Sequence, residues 1–193
     1  ELLPGLPEEV RIETLEDQDW SSTWRETFGA MCFGERLWVC PVGEMPPDPH
    51  AVVVHLDPGM AFGTGTHTTT ALCLRWLDAH SPSGLQVIDY GCGSGILAIA
   101  AHKLAALQVS AVDIDPQALL ATGENARRND CGDAIAVLHP EALKPEEGAD
   151  LLIANILANP LVELAADFSR RVKPGGQIVL TGILSDQAEA VLA

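Results

Sequence analysis

The hydrophobic and polar positions after residue 50 alternate between two patterns. Short apolar runs are separated by longer stretches in which apolar residues recur at helical spacing. Several of the runs are apolar at consecutive positions, which is typical of strands that are covered on both faces. The predicted strands are residues 51–56, 85–90, 109–113, 134–138, 151–156 and 177–180.

Helical patterns lie between most of these predicted strands. The first apolar helix face comprises Ile96, Ile99, Ala100, Lys103, Leu104 and Leu107. A second helix is predicted to begin with Asp115 as its N-cap and Pro116 at its first position. A third is predicted to begin in the same way at Asn159 and Pro160, and to end near residues 174–176. The alternation predicts an α/β fold, a doubly wound, mainly parallel sheet with helices on both faces.

Residues 1–50 differ in composition from residues 51–193. The first segment holds three of the four tryptophans and six of the 13 prolines. Residues 20–28 are predicted to form a short helix and residues 36–42 a strand. We expect an N-terminal extension packed on a main domain of residues 51–193. A free linker is the alternative, but it would leave many aromatic side chains in water: Trp20, Trp24, Phe28, Phe33 and Trp38.

The charge of the chain bears on its partners. Lysine and arginine number 11 and acidic residues 27, which gives a formal net charge of −16. Such a surface argues against general affinity for nucleic-acid phosphates and would attract a basic, lysine-rich protein. Acidity that only aids solubility is the alternative.

The composition also bears on location and on metal sites. No apolar stretch reaches the roughly 20 residues that a membrane-spanning helix needs, and the N-terminus lacks the features of a secretory signal. The five cysteines are odd in number and none lies in a C-x-x-C pair. Reduced thiols in a cytoplasmic protein are therefore expected, with no metal site and no membrane contact.

A glycine loop follows the second predicted strand. Residues 87–95 read V-I-D-Y-G-C-G-S-G, with Gly91, Gly93 and Gly95 at the turn into a helix. A dinucleotide loop would need Gly or Ala at position 96, where this chain has Ile96. S-adenosylmethionine is the other candidate ligand, because its sulfonium and ammonium groups suit the nearby Asp89 carboxylate. The loop alone leaves both cofactors open.

Two more polar residues lie at the ends of predicted strands. Asp113 lies about 20 residues after the glycine loop, where an acidic side chain accepts hydrogen bonds from ribose hydroxyls in either cofactor class. Ile114 after it would cover an adenine face or belong to the core. Asn155 ends a later strand, and its amide offers both a donor and an acceptor. Ligands of parallel sheets bind beyond these strand ends, so one shared cleft is predicted.

A loop rich in glycine and threonine spans residues 56–70. It has no lysine after its glycines, which excludes a phosphate-binding loop of the P-loop type. It precedes a helix whose apolar face is predicted to include Leu72, Trp76 and Leu77. We expect the loop to cover the glycine-loop site as a lid, with His67 as a capping or surface residue.

Four motifs together resemble the ribosomal protein L11 methyltransferase family. They are L-D-P-G-M-A-F-G-T-G-T-H-T-T-T at residues 56–70, V-I-D-Y-G-C-G-S-G at 87–95, V-D-I-D-P at 112–116 and N-I-L-A at 155–158. The last resembles motif IV of amino-group methyltransferases, without its prolines and aromatic residue. The resemblance covers about residues 20–190 and implies a Rossmann-like, class I S-adenosylmethionine-dependent methyltransferase.

The resemblance also implies site residues and a substrate. The cofactor contacts carried over by motif are Thr70, Gly91, Asp113 and Asn155, with Gly93 and Phe62 as neighbours. The family methylates lysine side chains and the N-terminal amine of one basic, lysine-bearing ribosomal protein, by direct transfer from the sulfonium to a neutral amine. No catalytic base is assigned, no direct contact with nucleic acid is expected, and a monomer is expected.

The chain departs from the family in three ways. Thr68 stands where the family usually has proline, and Asn159 where glycine is common. The small N-terminal recognition domain and the last strands of the sheet are missing, so a chain truncated at its C-terminus is expected. Two alternative functions stay open: a dinucleotide-dependent oxidoreductase, and a catalytically silent, truncated cofactor-binding domain.

Overall fold

The computed structural model describes residues 29–56, 67–144 and 148–192. Three predictions therefore lie outside the described residues: the short helix at residues 20–28, most of the loop at residues 56–70, and the cofactor contact by Phe62.

The described chain begins with a sheet of three short strands. These are β1 (Met31–Phe33), β2 (Leu37–Cys40) and β3 (Val52–His55), in the order β1-β2-β3. β1 pairs antiparallel with β2, and β2 pairs parallel with β3. The strand predicted at residues 51–56 therefore exists, but it does not join the larger parallel sheet. Its backbone hydrogen bonds are taken by β2, in a register that runs from Leu37↔Val52 to Cys40↔His55.

The second sheet has five strands and is parallel throughout. Its order is β6-β5-β4-β7-β8. The strands are β4 (Gln86–Tyr90), β5 (Gln108–Val112), β6 (Ile135–Leu138), β7 (Ala149–Asn155) and β8 (Val172–Thr181). The chain passes outward from β4 to β6 and then returns to the other side of β4, which places the switch in strand order between β4 and β7.

Five α-helices complete the described part of the fold. They are α1 (Thr68–Ala79), α2 (Ile96–Lys103), α3 (Pro116–Arg128), α4 (Ala158–Arg171) and α5 (Ala188–Leu192). The predicted start of α3 is confirmed, because Asp115 caps the helix by accepting from the Gln117 N–H at 2.9 Å. None of the helices in residues 29–56, 67–144 and 148–192 is long and apolar enough to cross a bilayer.

The predicted bounds of α4 are wrong at both ends. The helix begins at Ala158 with Leu157 as its N-cap. Pro160 fits inside the first turn, because the N–H that proline lacks has no helical partner there. The residues 174–176 do not follow the helix as a separate stop but lie in β8. The pairing of β7 with β8 is irregular between Ala149 and Leu151, and such an irregularity in an edge strand accommodates proline and glycine.

Two hydrophobic cores lie on opposite faces of the five-stranded sheet. Val87 of β4 points into the first, and Ile88 points into the second. The first core also contains side chains of the small sheet and of α1, α2 and α3, and the second those of α4 and α5. The doubly wound sheet with helices on both faces is therefore confirmed.

Two predicted helix faces differ from the structure. The first six residues of α2 are all buried, because α1, α3 and β3 cover the sides that the sheet leaves open. Leu107 does not belong to this helix face, and its side chain is 73% exposed. In α1, Leu72 is exposed, whereas Cys73, Leu74 and Leu77 are buried.

Candidate functional site

The carboxyl ends of three neighbouring strands form the candidate site. Tyr90 of β4 pairs with Val112 of β5 on one side and with Ala154 of β7 on the other. The residues that follow, Gly91, Asp113 and Asn155, therefore lie side by side at one edge of the sheet, at the switch in strand order. In doubly wound sheets, ligands bind at this position.

The glycine loop turns sharply because three of its residues have positive φ. The values are +78° at Gly91, +54° at Gly93 and +78° at Gly95, a region that residues with side chains rarely adopt. The Gly91 and Cys92 N–H groups both donate to the carbonyl of Val112, at 2.7 and 3.0 Å. A Cβ atom at Gly91 would overlap Cγ2 of Ile156, so the neighbouring strand end imposes glycine here.

Side chains of α3 hold the loop from the other side. Thr122 Oγ1 donates to the Gly93 carbonyl at 3.0 Å, and Asn125 Nδ2 donates to the Ser94 carbonyl at 2.9 Å. Both side chains are buried. Sequence reasoning missed these two residues. The signal that identifies them is a pair of polar residues, three positions apart, on the buried face of an amphipathic helix.

Asp113 connects the glycine loop to the second strand end. Its Oδ2 accepts from the Gly93 N–H and its Oδ1 from the Asp115 N–H, both at 3.0 Å. Each carboxylate oxygen has further acceptor capacity. Ile114 beside it is 73% exposed, which excludes the core role among the two that the sequence allowed.

A buried carboxylate lies beneath the loop. Asp89 is 1% exposed; its Oδ2 accepts from the Ala98 N–H at 3.0 Å, and its Oδ1 has no hydrogen-bond partner. Burial raises the pKa of Asp89 to about 7, opposed by the Ala98 hydrogen bond and assisted by the negative charge of Asp113. A buried oxygen without a partner is costly, and a cation or a donor of a ligand would compensate that cost.

The Asn155 amide lies between two hydroxyl groups. Asn155 Nδ2 donates to Thr70 Oγ1 at 3.1 Å, and Thr181 Oγ1 donates to Asn155 Oδ1 at 2.8 Å. Cys73 Sγ lies 3.2 Å from Thr181 Oγ1. Sequence reasoning brought Thr70 and Asn155 together but missed Thr181 and Cys73. Thr181 is the register partner of Asn155 in β8, so a hydroxyl at a strand end was the available signal.

Other candidate groups contribute less. Burial and the charge of Asp89 raise the pKa of Cys92 to about 12, so its thiol is protonated at neutral pH and is a poor nucleophile. His67 is the N-cap of α1 by its backbone, and its Nδ1 lies 2.7 Å from Thr69 Oγ1. Within the described residues, no group of three or more potential ligands is arranged to hold a metal ion.

A protein-family model matches nearly the whole chain. The model of the ribosomal protein L11 methyltransferase family (PrmA) matches residues 3–193. The chain belongs to the ribosomal protein L11 methyltransferase family. Its predicted family and its predicted fold class are both confirmed.

Relatives within the L11 methyltransferase family are close in sequence and longer. The chain is 62% identical over 179 residues to the ribosomal protein L11 methyltransferase of Methylococcus capsulatus, which covers 93% of this chain and 61% of that protein. It is 55% identical over 181 residues to the Vibrio cholerae protein of the same name, covering 94% and 61%. The chain thus spans about three fifths of the length of these relatives.

A solved structure of the family has the same fold. The crystal structure of ribosomal protein L11 methylase from Lactobacillus delbrueckii subsp. bulgaricus aligns with a TM-score of 0.76 and 34% sequence identity, over 86% of each chain.

Proposed function

We propose that this chain is the cofactor-binding and catalytic portion of an S-adenosylmethionine-dependent methyltransferase that acts on amino groups of a large-subunit ribosomal protein. One observation carries the proposal: the glycine loop, Asp113 and Asn155 lie side by side at the switch in strand order. The buried Oδ1 of Asp89, which has no hydrogen-bond partner, lies beneath the loop. The names of the relatives support the ribosomal substrate.

The residues of the site fit this cofactor. The Asp113 carboxylate would accept hydrogen bonds from the ribose hydroxyls, and the bare backbone of Gly91 and Gly93 would let the ligand approach the loop closely. The unpartnered Oδ1 of Asp89 could accept a hydrogen bond from a donor group of the ligand. Thr70 and Asn155 would complete the contacts, and we retain Phe62 as a proposed neighbour.

The chemistry required of the protein is mainly positioning. S-adenosylmethionine supplies an already activated methyl group when it is bound. The chain must hold an amine in line with it at roughly 3 to 3.5 Å. A lysine amine has a pKa near 10.4 and must be neutral to react, so we propose that desolvation at the Asn155 end of the site lowers that pKa. No residue is assigned as a general base.

The net charge of −16 supports a basic protein as the partner. We also propose that the segment before residue 51 supports the cofactor domain, because β2 pairs with β3 and contributes Leu37 and Val39 to the first core. The monomeric state and the cytoplasmic location stay predictions. The oxidoreductase alternative is not favoured, since Ile96 occupies the position at which a dinucleotide loop needs a small residue.

Calorimetric titration of this chain with S-adenosylmethionine and with NAD tests the cofactor, and we expect binding of the first alone. Transfer of a labelled methyl group to purified ribosomal protein L11, measured beside a preparation in which Asp113 is alanine, tests the reaction. Binding of NAD without S-adenosylmethionine would exclude the proposal. Cofactor binding without transfer to L11 would restrict the chain to a binding domain.

A further inference from the structure

Four polar side chains form a hydrogen-bonded row that passes through the Asn155 amide. Thr70 and Cys73 come from α1, Asn155 from the end of β7 and Thr181 from the end of β8. The contacts are 3.1 Å from Asn155 Nδ2 to Thr70 Oγ1, 2.8 Å from Thr181 Oγ1 to Asn155 Oδ1 and 3.2 Å from Cys73 Sγ to Thr181 Oγ1. Thr70 and Cys73 are both 1% exposed.

A side-chain amide has two orientations that exchange its oxygen and its NH2 group. A threonine hydroxyl both donates and accepts, so Thr70 and Thr181 alone would accept either orientation of Asn155. Either atom can donate in the contact between Cys73 Sγ and Thr181 Oγ1, and one of these two directions selects a single orientation of the amide. When the Cys73 S–H points at Thr181 Oγ1, the Thr181 hydrogen is directed to Asn155, and only the amide oxygen accepts it.

The charge state of Cys73 allows this direction. Desolvation is the largest effect on its thiol and raises the pKa of Cys73 to about 11, against the hydrogen bond of Thr181, which lowers it. The thiol therefore keeps its hydrogen at neutral pH and is available as a donor, although a weak one.

The backbone fixes Thr181 beside Asn155. The two residues are paired in the register of β7 and β8. Gly182 follows with φ of +84°, and a Cβ atom there would overlap the Ile156 carbonyl oxygen. The chain after β8 thus turns tightly against the residue that follows Asn155, which leaves Thr181 little freedom to move away.

We propose that Cys73 and Thr181 are positioning residues that orient the Asn155 amide, with Oδ1 towards β8 and Nδ2 towards α1. One Nδ2 hydrogen and one acceptor site on Oδ1 then remain for a ligand, in a fixed arrangement. The proposal deepens the proposed function, because it rests on Asn155 as a contact of the cofactor or of the substrate amine.

The orientation can be tested on the ligand-free chain by NMR. The Asn155 side-chain amide signals are identified by their loss in Asn155→Asp. In Thr181→Val and in Cys73→Ala we expect these signals to shift and broaden, because the amide samples both orientations. Thr181→Ser and Cys73→Ser keep a donor at each place and are expected to retain them. Ser110→Ala removes a buried hydroxyl from β5, two strands further across the sheet, and serves as the control that leaves the signals unchanged.

Binding of S-adenosylmethionine is the second measurement. We expect affinity about three- to tenfold lower in Thr181→Val, near that of the wild type in Thr181→Ser, and unchanged in Ser110→Ala. Unchanged Asn155 signals in both Thr181→Val and Cys73→Ala would overturn the orienting role. Should Thr181→Val fail to fold, the pair Cys73→Ala and Cys73→Ser decides alone. If the Asn155 signals change in Thr181→Val and Cys73→Ala but the chain does not bind the cofactor, the orienting role would be supported and the proposed function would be contradicted.

Discussion

We predict that the Asp113 side chain binds the ribose of the cofactor. Its two oxygens already accept from Gly93 and Asp115, so a ligand would use its remaining acceptor capacity. Asp113→Ala is expected to weaken binding of S-adenosylmethionine by about 1–3 kcal/mol through the lost ribose hydrogen bonds. Calorimetric titration measures the change, with Asp115→Asn as a control that removes a carboxylate two residues away but keeps a good N-cap. Equal affinities in wild type and Asp113→Ala would show that the ribose is not bound here.

Asp89 makes a second residue-scale prediction, for the dependence of stability on pH. Its folded pKa of about 7 lies above its ordinary value of 3.8. Between these two values the folded protein holds a proton that the unfolded chain has released, so this residue makes stability fall as the pH rises. In Asp89→Asn the side chain is neutral at every pH, and this contribution disappears.

We compare the free energies of unfolding of Asp89→Asn and the wild type at pH 5 and at pH 8. From the lower to the higher pH, we expect the difference between the two proteins to change in favour of Asp89→Asn by more than about 1 kcal/mol. Urea unfolding of both proteins at the two pH values measures the difference, and contributions of other groups, such as Asp150, cancel between them. Parallel pH profiles would mean that Asp89 is ionised in the folded protein throughout this range.

At the scale of elements, α1 joins the small sheet to the site. Its first turn carries Thr70, and its buried Asp78 holds the turn between β1 and β2. Asp78 Oδ2 accepts from the Glu35 N–H at 2.6 Å and Oδ1 from the Leu37 N–H at 3.1 Å. Gly34 in this turn has φ of +98°, and a Cβ atom there would overlap the Asp78 carboxylate.

Asp78→Asn places N–H donors against backbone N–H groups and leaves at least one of them unsatisfied. We expect a loss of about 1–3 kcal/mol in the free energy of unfolding, measured in urea, with little change in cofactor affinity at low temperature. Asp133→Asn, at an exposed position, is the matched control. A large loss of cofactor affinity together with unchanged stability would contradict the view that Asp78 stabilises the fold without contributing to cofactor binding.

The elements also show how far the sequence could predict the structure. The consecutive apolar positions of β4 and β7 reflect burial on both faces, so the parallel sheet and the adjacency of Gly91, Asp113 and Asn155 were predictable. Pairing between distant segments was not. The partner of β3 is β2, and the partners of the Asn155 amide, which lies at the end of β7, come from α1 and β8.

Local signals misplaced α4 for a related reason. Asn159 and Pro160 resemble a helix start, yet proline is equally compatible with the third position of a helix, where its missing N–H breaks no bond. Thr122 and Asn125 were missed because a polar residue in a helix has meaning only once the carbonyl groups beneath it are known. Sequence patterns thus located the strand ends, whereas the side chains that hold these ends could be identified only from the fold.

At the scale of the whole molecule, the net charge governs the encounter with a partner. A chain with a net charge of −16 attracts a basic protein over distances comparable to the Debye length, about 10 Å at 0.1 M salt. If a basic ribosomal protein is the substrate, its association rate should fall by about tenfold or more between 50 and 300 mM salt, while the dissociation rate changes much less. Stopped-flow measurements of both rates across this range test the prediction.

An acidic protein of similar size, expected to associate weakly at every salt concentration, is the control. An association rate independent of salt would place recognition in uncharged contacts and would remove the charge argument for a ribosomal partner, while the cofactor site would be unaffected.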